Sequence, residues 1–356
     1  MTSATSKNNA TQAIIKTLVH TPDAFTPEMA KTAITEIMEQ RATAAQMAAF
    51  LVSLRLQHLD RKPEIVAACA TVMRDHALYV DFSSHPQLTS SIVDIVGTGG
   101  DGHNTFNVST SAAIIAAGAG SKVAKHGNRA SSSSSGSADL LESLSCVLEN
   151  VTPSKVPEII DSSNFCFLFS QIYHPAMRHI SAARKEIGVP TIFNILGPLS
   201  SPAKPARIVL GVHSYYLGKL VAESLKLMGV EKAFVVNGAE GLDEISPELE
   251  THLWELSNGE ITERKISPDD FGLPRHSLSS VAGGDSTYNA KILNEILDNN
   301  YEGPILDFIL INTSALLVLD EKAPDFKQGV ALARESIRSG KAKEVLKAFA
   351  LATQSS

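Results

Sequence analysis

Ile92-Val93-Asp94-Ile95-Val96 is a short β-branched run that ends directly in a glycine-rich turn, Gly97-Thr98-Gly99-Gly100-Asp101-Gly102. Nothing before Ser91 has this texture. Thr26-Pro27 reads as an N-cap followed by proline at the first helical position, opening a helix over Glu28 to Gln40. Met47, Phe50, Leu51 and Leu54 recur at helical spacing, and Ile65, Cys69, Val72 and Met73 repeat the pattern. Four helices are therefore predicted up to about Tyr79, with no strand among them. After Ser91, strands are predicted at Ile92–Val96, Lys122–Lys125, Phe165–Phe169, Arg207–Val212 and Ala233–Val236. Helical segments such as Tyr215 to Met228 separate most of them. That alternation calls for an α/β fold with a mainly parallel central sheet. Asn258-Gly259, between His252–Leu256 and Glu260–Ile266, reads as a β-hairpin added to it. Gly197-Pro198, Pro202 and Pro205 mark a stiff crossover, and amphipathic helices return from Asn289 onward.

A chain of 356 residues suits one large domain or two. The longest apolar run, Ile305 to Leu319, is interrupted by Asp307 and Asn312 and is too short to span a bilayer, so a buried helix is expected. Met1 to Gln12 is polar, without the apolar stretch of a secretory signal. It holds one lysine and no arginine, unlike a mitochondrial presequence. Cys69, Cys146 and Cys166 are far apart and odd in number, which argues against a disulfide framework or a cysteine zinc site. The expected compartment is the reducing cytoplasm.

A net charge of −7 disfavours nonspecific nucleic-acid binding. Its distribution says more. The 37 residues between Asp101 and Asp139 contain no acid, where average composition would place about four. The same stretch carries Lys122, Lys125, His126 and Arg129. A local basic site on an acidic protein points to a small anionic ligand.

The glycine turn allows backbone N–H groups to approach a phosphate. It also fits G-x-G-x-x-G, the dinucleotide fingerprint, which requires an acid about 20 residues further on. The acid-free stretch supplies none, and the following helix starts late, near Ser109. A tight strand-to-helix turn is the plainer alternative. Asn107-Val108-Ser109-Thr110 precedes the apolar stretch Ala112 to Ala117, where Ser109 and Thr110 either cap a helix or help hold an anion at its N-terminus. Lys125-His126-Gly127-Asn128-Arg129, then Ser131 to Ser135 and Gly136-Ser137-Ala138-Asp139, combine point charge with hydroxyl and amide donors suited to phosphate. A polar surface loop is the alternative, though such a loop would not usually exclude acids.

Asp243-Glu244 follows the Ala233–Val236 strand and the loop Gly238 to Gly241. Adjacent carboxylates are either solvated or suited to magnesium, which takes one or two carboxylates with waters and substrate phosphates. Arg178, Arg184 and Lys185 fall on a helix after His174-Pro175. They form a solvated face, or one guanidinium grips a substrate carboxylate.

Together these segments resemble the anthranilate phosphoribosyltransferase family of tryptophan biosynthesis. The matching stretches are Gly97–Asp101, Asn107–Thr110, Lys125–Arg129 with Ser131–Glu142, His174–Arg178, Asn194–Leu199 and Gly241–Glu244. The helical Gln46–Leu51 also has the family's texture. Ser201 stands where the family often has Asn, and Ser145 where it often has Gly.

The resemblance implies a homodimer of nucleoside-phosphorylase-like architecture. A helical domain would hold residues 1–90 with a returning segment near 180–204. Residues 91–179 and 205–356 would form the α/β domain, with the active site in the cleft between. It implies a reaction in which PRPP (5-phosphoribosyl 1-pyrophosphate) gives its phosphoribosyl group to anthranilate. The PRPP contacts it implies are Gly97, Gly99, Gly100, Asp101, Thr105, Asn107, Val108, Ser109 and Thr110. They continue through Lys125, His126, Gly127, Asn128, Arg129, Ala130, Ser131, Ser132, Ser133 and Ser137. Gly97, Asn128 and Arg184 would face anthranilate, and Ser109, Asp243 and Glu244 would hold Mg2+. Lys125, His126, Asn128 and Arg184 are the candidates for the chemistry itself. No residue stands out as an obligatory general base, His126 being the best candidate.

Two rivals remain open on the sequence: a phosphorylase of the same architecture acting on nucleosides, and a non-catalytic relative binding nucleic acid or a regulator. The tandem carboxylates and the long donor loop favour a diphosphate substrate. The acidic balance and the full set of charged site residues disfavour a binding-only role, and neither nucleic acid nor a membrane is expected as a partner.

Overall fold

The computed structural model describes residues 10–130 and 134–354. Four helices come first: α1 (Ala10–His20), α2 (Pro27–Met38), α3 (Ala44–Leu56) and α4 (Pro63–Asp75). Thr26 caps α2 as expected, its Oγ1 accepting from the Met29 amide at 3.3 Å. Thr43 and Gln46 form a reciprocal capping box on α3. The α2 prediction overran by two residues, because Gln40 turns left-handed at φ 59° and closes the helix early. A short α5 (Pro86–Thr89) then leads into the sheet.

The strands are β1 (Ile92–Gly97), β2 (Lys122–Gly127), β3 (Phe165–Phe169), β4 (Arg207–Gly211), β5 (Lys232–Gly238), β6 (Thr251–Ser257) and β7 (Glu260–Ile266). They lie in the order β3-β2-β1-β4-β5-β6-β7. β1 to β5 are mutually parallel, and β6 and β7 close one edge as an antiparallel hairpin. At its tip Asn258 and Gly259 both take positive φ, as the Asn-Gly signal requires. The chain winds outward from β1 to β3, then returns to lay β4 on the other side of β1. This reversal is where an open α/β sheet leaves a crevice beyond the carboxyl ends of its strands.

Crossovers run through α6 (Val108–Gly118), then α7 (Ser137–Ser143) and α8 (Val156–Ser163). Next come α9 (Ser170–Tyr173), α10 (Met177–Ile187) and α11 (Phe193–Leu196), and α12 (Tyr215–Leu227) joins β4 to β5. The tail is α13 (Ser286–Leu297), α14 (Pro304–Leu319), α15 (Phe326–Arg338) and α16 (Lys341–Gln354).

Side chains alternate between two cores, as strand geometry demands. Val209, Phe234, Val236 and Leu253 face one core with α6 and the C-terminal helices. Ile208, Leu210, Ala233, Val235 and Trp254 face the other, built from α1 to α4, α10, α11 and α12. Ile180, Ala183, Phe193 and Leu196 thus pack with the N-terminal helices although they follow β3 in the chain. α14 is the expected buried helix, and no helix among the described residues is long and apolar enough to cross a membrane. Ser145 takes φ 66°, the backbone conformation that favours glycine at such a position.

Candidate active site

The crevice is built on a close approach of chains. A Cβ on Gly97 would lie 2.2 Å from Asp243 Oδ2, and one on Gly211 only 1.6 Å from the Asp243 carbonyl oxygen. The absence of side chains at these two strand ends lets the loop after β5 cross over β1 and β4. Asp243 Oδ2 then accepts from the Gly99 amide at 2.7 Å, tying this loop to the glycine turn. Behind it, Asn312 of α14 accepts from Ile245 N at 3.1 Å and donates to Phe308 O at 3.0 Å. The polar break in that apolar helix therefore anchors the residue next to Glu244.

Asp243 is 9% exposed, so the solvated-loop alternative does not hold for it. Burial, then the charge of Asp101, pushes its carboxyl up to about 7. Burial and the charge of Asp243 push Glu244 well above the ordinary carboxylate range. Lys125 faces these acids from β2, 1% exposed, its Nζ donating to Ile95 O at 2.6 Å. Burial lowers its pKa, while Asp94, Glu244 and Asp243 oppose that. Asp94 itself is fully buried and pushed up to about 7 by burial, with Lys125 pulling the other way. It accepts from the His126 amide at 3.3 Å, and its Oδ1 has no partner.

Crowded carboxyls whose pKa values are raised by burial and then by one another are an oxygen donor set suited to a hard divalent cation. Among the described residues no group of three or more His, Cys, Asp or Glu side chains is arranged as a metal cage. The set fits an ion that takes part of its coordination from substrate and water.

At α6 the N-cap is Asn107, yet its side chain does not cap the helix. Its Nδ2 donates to Ser135 O at 2.8 Å instead. Val108 N turns back to Phe106 O, while no acceptor among the described residues meets the Ser109 or Thr110 amides. Thr110 Oγ1 is buried without a partner as well. Unmet donors at the positive end of a helix are an anion site.

A cavity of about 640 Å³ opens in front of the glycine turn. Gly97, Gly99, Gly100, His126, Gly127, Asn128 and Arg129 form one part of its wall, and Arg184 with Thr191 to Asn194 forms another. Arg184 Nη2 donates to Asn194 Oδ1 at 3.2 Å, and its guanidinium sits 5.8 Å from the Phe193 ring centroid. Burial lowers its pKa, and no acid of the described residues pairs with it. Arg178 and Lys185, on the same helix, are exposed and stand outside the cavity. The three cations thus divide between the two alternatives: two on a solvated face, one in the cleft.

A family described as "Glycosyl transferase family, a/b domain" matches residues 89–343, and "Glycosyl transferase family, helical bundle domain" matches 12–77. Anthranilate phosphoribosyltransferase of Schizosaccharomyces pombe is 42% identical over 346 residues, 96% of this chain and 97% of that one. The chain belongs to the anthranilate phosphoribosyltransferase family. The Saccharomyces cerevisiae enzyme in complex with PRPP and Mg superposes with a TM-score of 0.89 at 36% identity, covering 99% of both chains. The same enzyme with 4-fluoroanthranilate gives 0.88 at 35% identity, covering 97% of this chain and 98% of that one.

Within this family frame the residues singled out by sequence fall into three groups. The cavity wall holds Gly97, Gly99, Gly100, His126, Gly127, Asn128, Arg129 and Arg184. Asp101, Thr105, Asn107, Val108, Ser109, Thr110, Lys125, Ala130, Ser137, Asp243 and Glu244 do not line the cavity. Ser131, Ser132 and Ser133 lie outside the described residues. The guanidinium of Arg129 is engaged by α7, with two bonds of 2.6 Å to Glu142 and one of 2.9 Å to Asp139. Asp139 also receives the Ala130 and Gly136 amides at 3.0 and 2.9 Å, closing the donor loop. The pKa of His126 is held well below the usual value by burial and then by His174, whose ring lies 5.1 Å away.

Sequence reasoning passed over Asp94, Thr98 and His213. Thr98 Oγ1 and His213 Nδ1 share a hydrogen bond of 3.1 Å at the cavity wall. The one signal available was an acid inside a β-branched run at Asp94.

Proposed function

We propose that the chain transfers the phosphoribosyl group of PRPP to the amine of anthranilate, giving N-(5-phosphoribosyl)anthranilate and pyrophosphate in tryptophan biosynthesis. The observation that carries this reading is the partly desolvated Arg184 guanidinium, without an acid partner among the described residues, in one cavity with the glycine turn and Asn128. A half-buried guanidinium without a counter-charge is a receptor for a substrate carboxylate, gripped by two parallel bonds. The phosphates belong to the other wall, on the glycine turn (Gly97, Gly99, Gly100, Asp101), Thr105, and the open amides and hydroxyls at Asn107 to Thr110. The donor loop from Lys125 through Arg129, Ala130, Ser131 to Ser133 and Ser137 completes that set.

In the reaction the anomeric C–O bond to pyrophosphate breaks and a C–N bond to the aromatic amine forms. The amine's surplus proton leaves afterwards. Charge builds on the leaving oxygens, and oriented amides with the buried Lys125 charge favour that change over the ground state. Asp243, Glu244 and Ser109 would hold magnesium, whose positive charge helps neutralise the departing pyrophosphate. The main contribution of Gly97, Asn128 and Arg184 is to hold the weakly basic amine against the anomeric carbon. His126, buried on the cavity wall, is the candidate to take the amine's surplus proton.

The same reading divides the chain into a helical domain (1–90 with 180–204) and an α/β domain (91–179 with 205–356). It describes a cytoplasmic homodimer. Val19 and Leu56, on the first and third helices, are 54% and 72% exposed and give apolar surface for such an interface. A concentration-independent monomer in sedimentation would contradict the dimer.

The deciding assay is PRPP-dependent loss of anthranilate fluorescence, with and without magnesium. Turnover that needs both PRPP and the metal, and is lost in Asp243→Asn with Glu244→Gln, is the expected result. Phosphate-dependent cleavage of nucleosides without anthranilate turnover would favour a phosphorylase instead.

A further inference from the structure

The donor loop is anchored by a residue far from it in the chain. Asn289, in the first turns of α13 and 1% exposed, donates through Nδ2 to Asn107 Oδ1 at 2.8 Å. Asn107 Nδ2 in turn donates to Ser135 O at 2.8 Å. The orientation of both amides is forced at the ends. Gly284 N–H can only donate, and it occupies Asn289 Oδ1 at 2.9 Å. Ser135 O can only accept. Between these fixed ends each amide has one orientation that satisfies every bond.

The stretch before α13 is stitched to the same place. Thr105 pairs with Ala282 as an isolated bridge, Phe106 N donates to Val281 O at 2.9 Å, and Gly283 N donates to Asn104 O at 2.8 Å. Asn104 also accepts from Ser134 N at 2.9 Å. A Cβ on Gly283 would lie 2.7 Å from Thr105 O, so the two strands of chain are in direct contact.

We infer that Asn289 is a positioning residue for PRPP: through Asn107 it sets the anchored end of the serine loop at Ser134–Ser135 and keeps the Asn107 side chain off the α6 amides. This rests on the reading of Asn107 and the loop as the PRPP site. An asparagine that capped its own helix would occupy the amides at N2 or N3 that an anion needs. Asn289 draws it away. The α13 segment therefore contributes to substrate binding without touching substrate.

The test is Asn289→Asp, which keeps an oxygen for Gly284 N–H but replaces the donor to Asn107 with an acceptor. The KM for PRPP should rise on the order of fivefold or more, the usual scale for a lost internal hydrogen bond, while the KM for anthranilate stays within about twofold. Titration calorimetry should show the same loss in PRPP affinity. Asn289→Ala should reproduce the split if the aspartate variant folds poorly. In an Asn107→Ala background, either change should add almost nothing, because its route to the loop is already cut. Equal rises in both KM values, or effects additive with Asn107→Ala, would reduce Asn289 to a structural residue. Wild-type kinetics in a folded variant would overturn the inference alone, whereas wild-type protein without PRPP-dependent turnover would overturn the functional reading beneath it.

Discussion

Gly211 and the carbonyl oxygen of Asp243 are so close that a methyl group on the glycine would stand 1.6 Å from that oxygen. Backbone, not a flexible side chain, occupies the space, so Gly211→Ala must move the loop that carries Asp243 and Glu244. Overpacking of this kind costs about 1–3 kcal/mol or more. A lowered melting temperature, with the magnesium titration displaced to higher concentration, is the expected outcome. A magnesium curve matching wild type would show that the loop position is immaterial to the ion.

Lys125→Met removes the cation that faces Asp94, Asp243 and Glu244. Leaving buried acids without their counter-charge costs on the order of 3 kcal/mol, seen as a lower urea midpoint. Loss of a preorganised charge near the leaving group should lower kcat about 100-fold and raise the KM for PRPP. Wild-type kinetics in a folded Lys125→Met protein would remove Lys125 from the phosphate site.

Arg184→Ala should raise the KM for anthranilate far more than that for PRPP. A lost charge-assisted bond is worth roughly 1.5–3 kcal/mol, about ten- to a hundredfold in kcat/KM. Aniline lacks the carboxylate, so wild type and variant should use it equally badly. Arg184→Lys should recover only part of the loss, since a point charge cannot reproduce the planar fork. Equal anthranilate kinetics in wild type and Arg184→Ala would move the carboxylate site elsewhere.

His174 bears on acid stability. Burial lowers its pKa to about 4, so the folded protein resists a proton that the unfolded chain takes up near 6.5. The stability tied to this ring is fully present above about pH 6.5 and is lost as pH falls toward 4, roughly 3 kcal/mol in all. Urea midpoints measured from pH 7 to pH 4.5 should fall for wild type and fall less for His174→Asn. Parallel curves would show that this histidine does not govern the acid limb.

Much of the fold was legible because periodicity speaks directly of burial. Ile92–Val96, Phe165–Phe169 and the Asn258-Gly259 hairpin were found within a residue or so of their observed bounds. Partners across the chain were not legible. Asn312 showed only as a break in an apolar run, since its partner Ile245 lies 67 residues away. Arg178, Arg184 and Lys185 looked alike until packing put one of them beside Phe193 and Asn194. Asp94 gave no sign of Lys125 because strand pairing, not sequence proximity, brings those two together. The glycine turn was visible as a turn that could take a phosphate, but its brace from Asp243 was not.

That brace, Gly99 N to Asp243 Oδ2, joins residues 144 positions apart. A ribosome has made the turn long before it makes the acid that steadies it. Helices α1 to α4 and the first parallel strands can gather from nearer contacts, but the crevice closes only after the chain has come back to β1 with β4 and β5. Loops closed over such spans form late. On refolding from urea, helical signal should return before the ability to turn over substrate, so regained activity times the last docking event rather than the first collapse.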